Sequence, residues 1–339
     1  MRSWRSCNRA AVRSGNKWSI RDCLLALFLT VAFPFACNAQ VGTLLFNSGF
    51  EASTVSSPVV QNDCYSTGCW QRIMGTDAST GYSWPFNVWG SGANGGISQL
   101  HADVPVDATS IRDYAFNQIV TLTGHKGLST KALYRLVTQS GCCGQEPQSG
   151  ATQNALQILP ASEQGDLYIS YWQKFQPGMA DLMQVGLQGT GWNWRDLFAW
   201  KTAGDYRIVV QVRRDPFING GNLFWAIVGD NEANGGLPYQ KFWELDNTSV
   251  PVPVGEWFKF EVFWHRSAGS DGRVWVAING QMIGDHGGSN MGVNNAQIDR
   301  IFLNNVYSST AYPIYQWIDD LQIWSGFPPV CTDSPCAPH

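Results

Sequence analysis

From Leu44 onward the chain alternates apolar and polar residues with a period of two, in short runs bounded by Gly, Pro, Asn or Asp. Such alternation predicts β-strands. The clearest cover Gly127–Val137, Asp166–Phe175, Tyr206–Arg213, Leu223–Val228, Trp257–Arg266, Arg273–Asn279, Gln297–Leu303 and Tyr315–Trp324. No stretch keeps a 3.6-residue apolar repeat over three turns, so helices are expected to be few and short. No repeat, charge block or low-complexity linker divides this region. It reads as one all-β domain over residues 40–330, a sandwich of two antiparallel sheets.

The best-defined unit is a hairpin. Phe258, Phe260, Val262 and Trp264 alternate with Lys259, Glu261, Phe263 and His265, Ser270-Asp271-Gly272 supplies the turn, and Val274, Val276 and Ile278 alternate with Arg273, Trp275 and Ala277. One face of each strand is apolar and predicted to face the core. The other mixes rings and charges: Glu261, Phe263, His265, Arg273 and Trp275. Such a face suits a sugar chain, whose rings stack on aromatic planes while its hydroxyls take directed hydrogen bonds. The same rings could equally be core beneath a loop. A second aromatic concentration, Gly189–Asp196, reads as a Gly-rich loop carrying Trp192, Trp194 and Arg195, either as binding groups or as an inward plug.

Composition narrows the partners. The first 39 residues carry six basic residues against Asp22 alone, then an apolar run from Cys23 to Phe35, then small residues ending at Ala39. This is the pattern of a secretory signal peptide, so the protein is expected to be secreted or periplasmic, with no membrane association after cleavage. A retained anchor would need about 20 apolar residues. Removing those residues from the 22 Lys+Arg and 26 Asp+Glu of the chain leaves a net charge of −9. Nucleic acid is thereby excluded as the expected partner, because its binding rests on a basic face. Cys64, Cys69, Cys142, Cys143, Cys331 and Cys336 remain, an even number that favours disulfides in an exported chain. Cys64/Cys69 and Cys331/Cys336 each enclose a turn-like loop, and the vicinal pair either closes on itself or bonds elsewhere. Zinc is disfavoured because no His lies near either C-x₄-C pair. Residues 331–339 read as a Cys- and Pro-rich tail.

A family resemblance is carried by the order Lys131-Ala132-Leu133-Tyr134-Arg135, Tyr168–Phe175, Gly255–Val262, Gly272–Gln281 and Trp317–Trp324. It resembles the concanavalin-A-like β-jelly-roll proteins, and among them the heparin-lyase and alginate-lyase type polysaccharide lyases. The resemblance implies a sugar chain on one curved sheet and cleavage by β-elimination, which needs a neutraliser for the uronate carboxylate, a base and an acid. In the alginate-lyase branch these lie in R-x-E-L-R, Q-x-H and K-A-G-x-Y strands. Here Tyr134-Arg135-Leu136-Val137 keeps one Arg, Gln184-Val185-Gly186 has Gly in place of His, and Lys201–Tyr206 keeps G-x-Tyr with the Lys displaced by one. His265 is the substitute for the missing His.

Tyr206, His265 and Arg135 are therefore the expected catalytic residues. Trp192, Trp194, Lys201, Arg207, Gln211, Arg213, Glu261 and Trp275 are expected to bind substrate. Alternation places Arg207, Gln211 and Arg213 on one face, and with Lys201 and Arg214 they form a basic strip that could also be ordinary solvated surface. Two other readings stand beside the lyase. Trp243–Ser249 resembles the E-x-D-x-x-E strand of endo-β-glucanases, with Glu244 and Asp246 on one face but Ser249 in place of the second Glu. A lectin-like domain without chemistry would use the same surface. No cofactor is expected; Asp319-Asp320 could meet calcium or backbone donors equally, and no metal is assigned. A monomer is expected.

Overall fold

The computed structural model describes residues 42–56, 69–71, 73–84, 98–102, 115–138, 154–158, 165–183, 193–202, 205–231, 239–296, 298–307 and 313–329. The leader, Trp192, the Gln184–Gly186 segment and the cysteines other than Cys69 lie outside these residues, and the side chain of Cys69 is not described.

Two large antiparallel sheets dominate. The first runs in the order β17 (Gln281–Gly287), β16 (Arg273–Ile278), β15 (Trp257–His265), β10 (Asp166–Phe175), β19 (Ile314–Trp324), β8 (Ser129–Val137) and β7 (Ala115–Thr123), with β1 (Leu44–Ser48) also paired to β19. The second runs β14 (Lys241–Asn247), β13 (Leu223–Asp230), β12 (Arg207–Arg214), β11 (Asn193–Thr202), β18 (Ile298–Tyr307), β9 (Asn154–Ile158), β6 (Ser98–Ala102) and β3 (Cys69–Gln71). A small sheet joins β2 (Val55–Ser56), β4 (Ile73–Thr76) and β5 (Ser83–Trp84). From β8 to β11 and again from β17 to β19 the chain passes back and forth between the large sheets, the path of a jelly roll. Among the described residues the one α-helix is a single turn, α1 (Met179–Leu182).

The inner faces interlock through rings: Trp225 on Phe258 at 5.9 Å, Phe198 on Phe260 at 5.7 Å and Trp200 on Trp264 at 5.1 Å between centroids. Burial of each such side chain contributes about 1.5–3 kcal/mol. The hairpin's apolar face, read from alternation, is this core face.

Two arginines also point inward. Arg135 lies between Leu133 and Val137 on the core side of β8 and donates to the carbonyl of Leu303. Arg195 on β11 donates to Gln316 Oε1 and to Met179 Sδ, and its guanidinium sits 4.1 Å from the Phe175 ring centre.

One patch of the outer face of the first sheet, around Tyr168, Phe263 and Trp275, is covered by residues 325–329 of the chain itself. Phe327 stacks on Phe263 at 4.2 Å and packs against Trp275 at 5.5 Å and Tyr168 at 5.8 Å. The backbone holds it there: Gly42 N donates to Phe327 O at 2.7 Å, and Ser325 N to Thr43 O at 3.0 Å. Gly42 must be glycine, since a Cβ at that position would lie 2.4 Å from Gly326 O.

Candidate functional site

On the opposite side of the sandwich, the outward residues of β11 to β14 form transverse rows. Lys201 pairs with Arg207, Arg207 with Asp230, and Asp230 with Lys241; Arg300 on β18 extends the row beyond Lys201. A second row is Asp196, Gln211, Ala226 and Asp246, and a third is Ala199, Val209, Val228 and Glu244. With neighbouring strands about 4.8 Å apart, the first row spans about 19 Å. Ala155, Ala199, Val209 and Phe302 make an apolar floor beside these charges, and Lys201 Nζ leans over the Phe302 ring at 5.2 Å.

The charged groups are held by one another. Arg207 grips Asp230 through two parallel hydrogen bonds, Nε to Oδ1 at 2.8 Å and Nη2 to Oδ2 at 2.7 Å, the geometry that makes arginine–carboxylate pairs strong. Gln211 donates its amide to Asp196 Oδ1 at 2.6 Å and accepts from Arg213 Nε at 2.7 Å. Arg213 also donates to Glu244 Oε1, Lys241 donates to Glu244 Oε2, and Asp246 Oδ1 lies 3.9 Å from Arg213 Nη1.

These contacts separate the three carboxyls chemically. Burial pushes Asp196 up to about 6, against the opposing pull of Arg207, the Gln211 hydrogen bond, Lys201 and Arg213. Burial also acts on Glu244, but the bonds and charges of Lys241 and Arg213 outweigh it and hold the carboxyl below its ordinary value. Asp246 is raised, by burial first and then by the neighbouring charge of Glu244. One face thus holds a carboxylate that titrates near neutrality, a firmly ionised one, and several fixed cations. This is the kind of split that acid–base chemistry requires.

The structure places Lys201, Arg207, Gln211 and Arg213 together on this face. Trp194, paired with Arg213, joins them on the same side of β11, half-buried. The Gly-rich loop expected around Trp194 ends earlier than its composition implied, because Asn193–Asp196 already belong to a strand. Arg214 instead points away and ties the turn of α1, through Ala180 O at 2.6 Å, to the Asn219–Gly221 turn, through Gly221 O at 2.8 Å.

Tyr206, Arg135 and His265 do not converge, which corrects their grouping as one catalytic set. Arg135 is sealed between the sheets. Tyr206 is buried, its hydroxyl accepting from Trp243 Nε1 at 2.6 Å, and burial pushes its phenol up to about 12. His265 lies half-buried on the other sheet, with Nδ1 2.5 Å from Asp166 Oδ1 and Nε2 3.6 Å from Asp271 Oδ2. Glu261 and Trp275, expected to meet substrate, are likewise corrected. Trp275 is buried under Phe327, and Glu261 is buried where it accepts from the Tyr168 hydroxyl at 2.6 Å, with Lys259 Nζ at 3.9 Å.

Asp196, Asp230, Lys241 and Arg300 were not foreseen. Asp196 could have been found, since it alternates with Trp194 two residues before it. Among the described residues, no group of three or more His, Cys, Asp or Glu side chains could hold a metal ion.

No protein-family model matches the chain, and no curated protein matches it. Among solved structures, it is similar to a double variant of alginate lyase Aly36B in complex with alginate trisaccharide, at 14% identity and a TM-score of 0.40, over 61% of this chain and 83% of that one. It is similar to the endo-β-1,4-glucuronan lyase of the fungus Trichoderma reesei at 10% identity and a TM-score of 0.42, over 63% and 90%. It is also similar to the PL-14 alginate lyase of Aplysia kurodai at 12% identity and a TM-score of 0.35, over 66% and 97%.

Proposed function

We propose that the ionic outer face of the second sheet binds a uronate-containing polysaccharide and cleaves it by β-elimination, outside the cytoplasm. One observation carries this reading: Asp196, raised to about 6, is held by Gln211 on a face whose rows also carry Lys201, Arg207 and Arg213. β-Elimination needs a proton acceptor matched to working pH beside fixed positive groups that take up the charge developing on the uronate carboxylate. Asp196 accepts the proton from the carbon next to that carboxylate. The electrons of the C–H bond form the new double bond, and the glycosidic C–O bond breaks. Arg207 and Arg213 stabilise the carboxylate through the transition state, and the Lys201 ammonium protonates the departing oxygen.

The glucanase-like reading keeps one supporting observation, the opposite displacement of Glu244 and Asp246 on adjacent outward positions of β14. Incubation with alginate, heparin-type glycans, pectate and glucuronan separates the two. Ultraviolet absorbance from unsaturated uronate ends supports the lyase. New reducing ends from neutral β-glucan without that absorbance support the hydrolase, and retention on a glycan column without cleavage supports a binding module.

A further inference from the structure

The outer side of the first sheet carries a second concentration of rings, apart from the patch under Phe327. Lys174 on β10 pairs with Trp317 on β19, and Trp317 with Tyr134 on β8. Each alternates with core residues, Phe175, Ile318 and Leu133, so all three side chains leave the sheet on its outer side. Tyr315, two residues before Trp317, joins them. The rings touch: Tyr134 lies 5.6 Å from Trp317 and 5.8 Å from Tyr315, and Tyr315 meets Trp317 edge-on at 5.3 Å. Lys174 Nζ stands 5.7 Å from the centre of the Trp317 ring. All four residues are half-buried. Gln176 fixes the strand that bears two of them, accepting from Tyr315 N and donating to Pro313 O at 3.3 Å.

The polar groups of this cluster are unused. Among the described residues the Tyr134 and Tyr315 hydroxyls and the Trp317 indole N–H make no hydrogen bond, and Lys174 makes no ion pair. Other outward rings of the sheet are tied down: Trp257 Nε1 donates to Thr123 O at 2.9 Å, and the Tyr168 hydroxyl to Glu261 at 2.6 Å. Rings with an apolar body and an open polar tip are the groups that binding surfaces favour. The row they belong to, Trp257–Lys174–Trp317–Tyr134–Gln118, holds one cation and no carboxylate, although the chain is acidic as a whole.

We infer that this cluster is a second, non-catalytic binding surface for the uronate polysaccharide, on the side of the sandwich opposite the ionic face. It rests on the polysaccharide reading above and adds a hold on the polymer remote from the bond that breaks. A pyranose lays its C–H face on the rings, its hydroxyls meet the phenols and the indole N–H, and a uronate carboxylate meets Lys174. With strands about 4.8 Å apart the five-strand row spans about 19 Å, several sugars long.

Calorimetry of the whole protein with alginate and glucuronan hexasaccharides reads the number of sites. Two per chain are expected. Y134A and W317A should weaken one of them about three- to ten-fold, and K174Q about three-fold, with turnover of the same hexasaccharide unchanged. Thermal melts accompany W317A, while K174Q removes a charge without emptying a packed position. Wild-type affinity and stoichiometry in all three variants overturn the surface and leave the ionic face standing. Weakened binding in the variants of a protein that never cleaves supports the surface and overturns the lyase reading. Wild-type protein that binds neither hexasaccharide overturns both.

Discussion

The side-chain amide of Gln211 bridges Asp196 and Arg213, donating to the carboxylate at 2.6 Å and accepting from the guanidinium at 2.7 Å. With both ends of the amide engaged, its orientation is set. Among the described residues Asp196 accepts the Gln211 bond on Oδ1, and in the proposed reaction Oδ2 takes the proton from the sugar. The raised carboxyl is the group the proposed reaction turns on.

D196N is expected to lower kcat by about 10²- to 10⁴-fold, the usual worth of a positioned base. The wild-type rate should rise through about pH 6 as Asp196 loses its proton. The sign for stability is opposite. With a folded value above the unfolded 3.8, the native chain holds a proton that the unfolded chain releases, so stability falls as pH climbs from about 4 to about 6. D196N should therefore melt no lower than wild type at neutral pH. A variant that keeps its rate removes Asp196 from the chemistry.

Glu244 occupies the cations that a uronate would want. In E244Q, Arg213 and Lys241 face a neutral amide, so anionic oligosaccharides are expected to bind more tightly and with a steeper dependence on salt. Titration at two ionic strengths reads both effects. Weaker binding in E244Q would mean that Glu244 itself contacts the sugar.

His265 contributes to stability on the acid side. Burial lowers its imidazole, but the hydrogen bond and charge of Asp166, with help from Asp271, outweigh this and leave it above the ordinary 6.5. The protonated ring is favoured in the fold, so its stabilisation is complete below the unfolded value and is lost as pH rises through the folded one. H265Q should lower Tm at about pH 5.5 and leave it nearly unchanged at about pH 8.5, measured by calorimetry.

Asp319 is expected to behave as a buried acid. Burial, the adjacent Asp320 and Glu51 push it up to about 8, despite bonds from Asp320 N and Thr130. Between the unfolded 3.8 and about 8 the native state alone keeps the proton, so stability declines with rising pH across that window. D319N should raise Tm above about pH 8 and converge with wild type in acid. A lower Tm at high pH would show that the charge is compensated.

Phe327 caps the Tyr168–Phe263–Trp275 patch of the first sheet. F327A should cost about 3–5 kcal/mol in denaturant unfolding, the usual penalty for emptying an aromatic site. The fluorescence of Trp275 should shift to the red, while glycan binding on the ionic face is unaffected.

Much of the architecture was legible because sheet burial imposes a period of two. Asp166–Phe175 is the strand its alternation marks, and Arg207, Gln211 and Arg213 share a face for the same reason. Strand β11 was hidden by a register shift between Asp196 and Phe198, where Leu197, Phe198, Ala199 and Trp200 are all buried and the alternation disappears. The hairpin's outer face was ambiguous in principle. Phe263 and Trp275 look the same in sequence whether they meet a sugar or a distant phenylalanine, and Phe327 decides it. Arg135 shows the limit of residue type. Its spacing from Leu133 and Val137 placed it inside, while its charge argued for a surface role.

The bond from Gly42 to Phe327 joins, at one seam, the segment that leads into β1 and the segment that follows β19. A short peptide could close that seam at little entropic cost, since the segments to be joined are already adjacent. New ends could then be opened at the Leu128 turn between β7 and β8, where the side chain is 70% exposed. Such a circularly permuted protein would keep every row of the ionic face, and it offers a way to attach reporters or surfaces without touching the strands that carry the charges.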